Sequence, residues 1–449
     1  MRISFRVATT VATTVAAAMV CGAPICGGLL AAQQAADSSV TRQQRSLDSL
    51  SAALRAMSSR MDSLQGAPAP APTPPPAGRA PGAYMNVSFV GLTDAGWSTA
   101  KDVRSLQPGD HDPRVNGFSI PNAELALDGA VDPYLKGFVN IVYKLDENGE
   151  TAVELEEMYL LTTSLPMNLQ LKVGQFFAEF GRQNPQHPHS WGFADQPLVL
   201  NRVFGAEGLR SQGARLSWLL PTPWYTEAMV GVMNSAGGTT FSFRTDESAQ
   251  IHGGEPLARS VENAGDLLYV PRIATSLDPT DNQVLLVGAS GAFGPNNSGS
   301  KSRTSIYGGD VYWKWKSSYA HQGFPFVSFQ GEYIRRSYDA AVRAVLDSPT
   351  SLPAETLSDD GMYAQLLWGI KPRVVVGARS EYVSANANAF VTAERADRRR
   401  ISPNLTWYPS EFSKVRFQYN FDHRAGIGDD HSLWIQFEFL LGAHAAHKF

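Results

Sequence analysis

From about residue 84 onward, apolar and polar residues alternate in runs of about ten, the span of a membrane-crossing strand. In 413–422, Val415, Phe417, Tyr419 and Phe421 fall on one side, and Arg416, Gln418, Asn420 and Asp422 on the other. In 431–441, Leu433, Ile435, Phe437, Phe439 and Leu441 form one row, and Trp434, Gln436 and Glu438 the opposite one. In 168–175, Leu169, Leu171 and Val173 oppose Gln170, Lys172 and Gly174; in 307–316, Val311, Trp313 and Trp315 oppose Asp310, Lys314 and Lys316. Period two with one apolar and one polar row predicts strands between two different environments. A sandwich with wet outer faces gives the same rhythm, so alternation alone leaves two architectures open.

The connections separate them. Sixteen candidate strands start near 84, 117, 134, 152, 168, 208, 223, 266, 283, 303, 323, 360, 373, 397, 413 and 430. Short connections hold Asp132-Pro133, Leu165-Pro166, Pro221-Thr222-Pro223, Asp278-Pro279, Lys371-Pro372 and Tyr408-Pro409, with 317–322 as the seventh. Longer ones lie between them, at 93–116, 146–151, 178–207, 235–265, 294–302, 339–359, 385–396 and 422–429. Alternating short turns and long loops predict an all-β fold, a transmembrane antiparallel β-barrel with its short turns in the periplasm. An even strand count returns the chain to the side on which the barrel begins. The terminal Phe449, following an amphipathic strand, fits an insertion signal for such a barrel. A barrel of this size encloses water rather than a filled core, so passive diffusion of small solutes or ions is expected.

The first 83 residues read as three pieces. Residues 1–35 have the basic start (Arg2, Arg6), apolar run and small-residue exit of a signal peptide. Residues 36–65 carry a heptad, with Val40, Leu47, Leu54 and Met61 at a and Gln43, Leu50, Met57 and Leu64 at d. This predicts a short self-associating coiled coil in the periplasm; an amphipathic helix resting on another surface is the alternative. Residues 66–83 are a Pro/Ala-rich linker expected to be extended. Residues 36–83 are too short for a plug domain, which disfavours an energy-coupled receptor. The barrel occupies 84–449.

Composition narrows the chemistry. A net charge of −4 over 449 residues argues against a nucleic-acid partner. Both cysteines, Cys21 and Cys26, lie in the signal segment, so the remainder has no thiol for disulfides, metal or nucleophilic chemistry. No nucleophile elbow, phosphate loop or dinucleotide motif appears, and no cofactor or enzymatic activity is expected. The first 83 residues hold seven basic and three acidic residues, leaving 31 basic and 39 acidic in the barrel block, a net −8. An anion channel would need a local basic ladder against that background. Candidates are Arg210 and Arg215, Lys314 and Lys316, Arg335 and Arg336, and Arg398–Arg400; solvated rim charge is the expectation for most of them. Arg335 and Arg336 must face opposite ways. Lys172, Arg210, Arg215, Lys314, Lys316, Arg416, Gln418, Gln436 and Glu438 are the expected pore lining.

The third long loop is rich in Pro, His and aromatic residues, which suits packing better than free solvation. It is expected to narrow the channel through Glu179, Arg182, His187, His189, Asp195, Arg202 and Glu207; an ordered external loop is the alternative. His187 and His189 with Asp195 as a third ligand invite a metal reading, but their spacing supports none. Glu154 and Glu156 share a face of one strand and are expected to line the lumen.

At 172–181 the chain reads Lys-Val-Gly-Gln-Phe-Phe-Ala-Glu-Phe-Gly, and at 124–134 Glu-Leu-Ala-Leu-Asp-Gly-Ala-Val-Asp-Pro-Tyr. Both segments resemble the phosphate-selective porin family of the O/P type. The resemblance implies a sixteen-stranded outer-membrane porin in the lipid bilayer, a homotrimer, with the third loop folded into the pore and anions such as phosphate as solutes. The segment 182–202 departs from the family's pattern, which places its anion site in doubt. The alternatives are a barrel that tethers the envelope, through cell-wall contact by the coiled coil, and a metal-related receptor-like barrel without a plug.

Overall fold

The computed structural model describes residues 85–442, apart from 146–148, 246–248, 258, 346–348, 387–388, 391 and 393–394. The expected signal, coiled coil and linker, and Phe449, lie outside the described residues.

Sixteen strands among the described residues close into one antiparallel barrel. They are β1 (Met85–Ser98), β2 (Gly117–Ala130), β3 (Leu135–Leu145), β4 (Thr151–Thr162), β5 (Leu169–Phe177), β6 (Arg210–Leu219), β7 (Thr226–Asn234) and β8 (Leu267–Thr280). There follow β9 (Gln283–Pro295), β10 (Arg303–His321), β11 (Phe324–Ala340), β12 (Glu355–Lys371), β13 (Val374–Ala385), β14 (Arg398–Ser410), β15 (Ser413–Arg424) and β16 (Gly428–Gly442). Neighbours in sequence pair, and β1 closes on β16 with Phe89 opposite Leu441. Closure leaves no edge, so every strand finds its hydrogen bonds inside the sheet. Each expected strand start lies within five residues of the observed one.

Three turns differ from expectation. The chain stays extended past Pro279 and Pro409 and through 317–321, and the turns are the pairs 281–282, 411–412 and 322–323. The ladder is already broken at Leu277/Thr280 and Trp407/Ser410, so a proline without an N–H costs no bond there. Gln322 and Gly323 both have positive φ, as a two-residue hairpin requires.

The two rows of side chains settle the architecture. Ile435, Phe437 and Leu441 are 38%, 42% and 58% exposed, whereas Gln436 and Glu438 between them are 3% and 0% exposed. Two stacked sheets would bury the first set. Here the apolar row covers the outside and the polar row is enclosed, which is the distribution of a barrel with hydrocarbon around it.

The enclosed space is far from empty. The connection 178–209 and residues 235–245 turn inward and supply an apolar cluster inside the polar wall. Phe180, Leu200, Val203 and Phe204 pack there with Phe176, Phe243, Ile306, Ile334 and Tyr363. The burial of each large side chain contributes about 1.5–3 kcal/mol. Pro197 precedes the helix Leu198–Phe204 and Gly205 ends it with φ 82°. A side chain at Gly205 would also meet the Phe241 Cβ at 2.9 Å.

Ile435 sits midway along β16 on the outer face. Ile435→Lys should destabilise the lipid-embedded barrel by about 2–4 kcal/mol. Urea unfolding in lipid vesicles measures this, and an unchanged midpoint would contradict a hydrocarbon-facing outer row.

Candidate functional site

The interior is built by sewing 178–209 onto the wall. Glu332 accepts the backbone N–H groups of Arg182 at 3.0 Å and Gln183 at 2.6 Å. Gln418 accepts from Ala194 at 2.8 Å, Asp112 from Gln196 at 2.8 Å and Glu381 from Leu198 at 3.1 Å. In the other direction Arg416, Asn404 and Lys414 donate to the carbonyls of Trp191, Gly192 and His189 at 2.8, 2.8 and 2.6 Å. Gly181 (φ 62°) lets the chain enter closely, because a side chain there would strike the Glu332 carboxylate.

Asp195 is the hub. Its carboxylate accepts from Arg379, from Arg400 at 3.0 Å, from Gln107 at 3.1 Å, from Gln418 at 2.8 Å and from Asn420 at 2.7 Å. Burial alone would raise its pKa, but the two guanidiniums and the amide hydrogen bonds hold it well below the usual carboxylate range. With its oxygens so engaged, Asp195 is no third ligand for His187 and His189.

Those histidines lie against acids of the first strands. His187 faces Glu157 through Nε2 at 2.8 Å and Glu156 through Nδ1 at 2.9 Å; His189 Nδ1 lies 3.0 Å from Glu124. Burial pushes the His187 imidazole down, but Glu156, Glu157 and Glu124 outweigh it and hold it well above its ordinary value. His111, from the first long connection, sits 3.7 Å from Glu156 and 3.9 Å from Glu207. There too burial works downward, and those acids carry the imidazole up to about 9. Asp110, His111 and Glu207 have donor atoms close enough to surround a cation. Lys144 already provides one, contacting Asp110 and lying 2.6 Å from Glu207 and 3.2 Å from Glu154.

The seven residues expected at the constriction thus fall into separate groups. Glu179 pairs with Lys172 at 2.9 Å and Arg215 at 3.5 Å. Arg182 bonds Gln330 at 3.1 Å and stacks on the Tyr312 ring at 3.9 Å. Arg202 pairs with Asp359 at 3.3 Å, and Glu207 joins the Lys144 group. Of the expected lining, Arg210 contacts Glu154, and Arg416 bonds Gln436 at 2.8 Å. Glu438 pairs with Lys414 at 2.7 Å. Lys314 lies over the Phe326 ring, on the β10 row that also carries Lys316.

One expectation needs correction. Arg210, Arg215, Arg336, Arg398 and Arg400 are buried in ion pairs, not solvated at a rim, because carboxylates on other strands and loops face them. Arg335 does point outward while Arg336 points in. On β4 a bulge follows Asn140 of β3, so Glu157 joins Glu156 inside although the two are adjacent. Sequence reasoning missed Arg379, Glu332 and Asp359. The alternation puts Asn420 in the polar row with Gln418, but does not reveal it as a partner of the third long loop.

No family model matches the chain. An uncharacterized protein of Aquifex aeolicus is 33% identical over 353 residues, covering 74% of this chain and 70% of the relative. The outer membrane channel DcaP of Acinetobacter baumannii superposes with a TM-score of 0.55 at 12% identity, over 80% of this chain and 98% of that one. An anion-selective porin from Comamonas acidovorans gives 0.51 at 8% identity, over 80% and 100%. At these identities the two solved structures share the fold.

Asp195→Ala would leave Arg379 and Arg400 buried without their shared partner, a loss of about 3–5 kcal/mol. The inturned segment should undock, read as faster amide exchange over 183–200. Native protection in the variant would remove Asp195 from its place as hub. Because the His111 and His187 pKa values are raised on folding, their contribution is full below about pH 6.5 and fades as the pH climbs through the folded values. For His111 that is about 9. Exchange protection around His111 should therefore fall as the pH climbs through about 9, that around 187–191 should likewise fall with rising pH, and a rise would reverse the sign.

Proposed function

The chain belongs to the family of the Aquifex aeolicus relative, and we propose that it is an outer-membrane porin passing small solutes or ions by passive diffusion. One observation carries the reading: a closed sixteen-stranded barrel whose outer row is apolar and whose charged row is enclosed. Barrels of this strand number have room for an aqueous path, and a polar interior has no purpose against lipid. The fold shared with an outer membrane channel and with an anion-selective porin supports the same reading.

In this reading 178–209 narrows the path, with Glu179, Arg182, His187, His189, Asp195, Arg202 and Glu207 as its charged and polar edge. Most charges are paired, so the field along the path is mixed and selectivity is weak. Arg182 over Tyr312 and Lys314 over Phe326 lie beside β10 and tilt the preference toward anions. Phosphate is one small anion that such a wall admits. The heptad at 36–65 supports self-association through a periplasmic coiled coil, and the porin resemblance suggests a homotrimer.

Planar-bilayer recording on the full chain tests the proposal. Stepwise conductance and a small reversal potential of anionic sign in a potassium chloride gradient are expected. Absence of steps would sink the pore reading. A strong phosphate preference would contradict weak selectivity.

A further inference from the structure

The outer mouth of the barrel holds a cavity of about 400 Å³, walled by five of the long connections and the ends of β11, β13, β14 and β15. That size suits a small organic molecule. Its lining combines two chemistries that a simple hydrated funnel does not need together. Leu198, Phe241, Ile251, Val383 and Ile427 give it an apolar body. Arg202, Arg336, Arg395, Arg398 and Arg424 bring guanidiniums to its edge.

The charges there do not balance pair by pair. Arg202, Arg336 and Arg395 share the single carboxylate of Asp359, at 3.3, 2.6 and 3.7 Å. Arg398 shares Asp422 with Arg400, at 2.6 and 2.9 Å. Arg400 is matched by Asp195 as well, so the surplus lies where three guanidiniums meet the one carboxylate of Asp359, and the field there is positive. Asp397 also lines the cavity, held by the Tyr382 hydroxyl at 3.2 Å, and offsets part of it. Arg424 has its own partner, Asp430, at 2.6 Å.

An independent feature points to a missing ligand. Asn201 lines the cavity from the helix Leu198–Phe204 and is 8% exposed, yet neither its amide nitrogen nor its amide oxygen has a hydrogen-bond partner. The Nε of Arg424 is likewise without a hydrogen bond, whereas that of Arg395 faces Asp359 at 3.7 Å. A buried amide left unsatisfied at both atoms is costly. A guest bearing an acceptor would satisfy the Asn201 amide nitrogen, and a hydroxyl or water carried in with it the amide oxygen.

We propose that this cavity binds an organic anion with an apolar body and a carboxylate head, and so selects such molecules for passage. The carboxylate meets the guanidiniums and the Asn201 amide, while the apolar body lies against Phe241, Leu198 and Ile427. Inorganic phosphate matches the charge but leaves the apolar wall unfilled. The inference rests on the pore reading for its physiological meaning, though not for the binding itself.

Calorimetry on the detergent-purified full chain tests it with 3-phenylpropionate, 3-phenylpropanol and inorganic phosphate. The carboxylate should bind at least about tenfold more tightly than either comparison, the worth of one hydrogen bond to a charged group. Asn201→Leu should weaken it by about the same factor. Ile427→Glu, at an exposed position, should abolish binding by placing like charge at the mouth. Equal affinity for phosphate, tighter binding of the alcohol, or affinity unchanged in both variants would overturn the proposal. Conductance without 3-phenylpropionate binding would defeat this inference and leave the pore standing. Binding without conductance would defeat the pore alone.

Discussion

A stretch of chain drawn into a barrel gives up bulk water as a hydrogen-bond partner, and each buried peptide group left unpaired costs about 1–3 kcal/mol. For 178–209 the wall meets that demand. Glu332, Gln418 and Glu381 receive its N–H groups, and Arg416, Asn404 and Lys414 serve its carbonyls. All six stand on inward rows of strands. The polar row therefore does more than wet a channel. It is a set of docking groups that specifies where the segment lies, and the apolar helix Leu198–Phe204 can be placed inside a polar cylinder only because its flanks are anchored in this way.

Carrying charged groups into that interior imposes a second condition. A buried carboxylate or guanidinium is tolerable only with partners, and the interior accordingly consists of shared pairs: Asp195 between Arg379 and Arg400, Asp310 with Arg272, Asp422 with Arg398 and Arg400. Such pairs hold elements in register more than they add net stability. They also cancel much of each other's field, so the block's net −8 says little about what an ion meets at a given depth.

Much of this was legible in the chain itself. Strand starts from β1 to β16 followed from period two and punctuating turns, because an outer lipid row must stay apolar whatever the inside contains. The rows of β15 and β16 were assigned to their sides correctly, residue by residue. The inside was harder. Leu198–Phe204 reads as a short apolar run in a loop, and only Pro197 before it and Gly205 after it hint at a helix. That Arg336 and Arg400 are buried depends on Asp359 and Asp422, which are remote in sequence or on another strand. Glu157 required knowledge of a bulge. These are pairings across the barrel, and local alternation contains no record of them.

The division between a paired interior and an unbalanced mouth bears on where discrimination resides. A charge already matched at close range offers a passing ion little, since the partner must be displaced before the ion gains anything. Where the segment is docked, the close pairs of Asp195 and Glu179 therefore act mainly as positioning groups. At the mouth, three guanidiniums lean on one carboxylate, and an incoming anion relieves repulsion among them without breaking a satisfied pair. Beside that surplus lie an amide with no partner and an apolar wall. Charge sets which solutes approach there; shape and apolar contact set which of them stay.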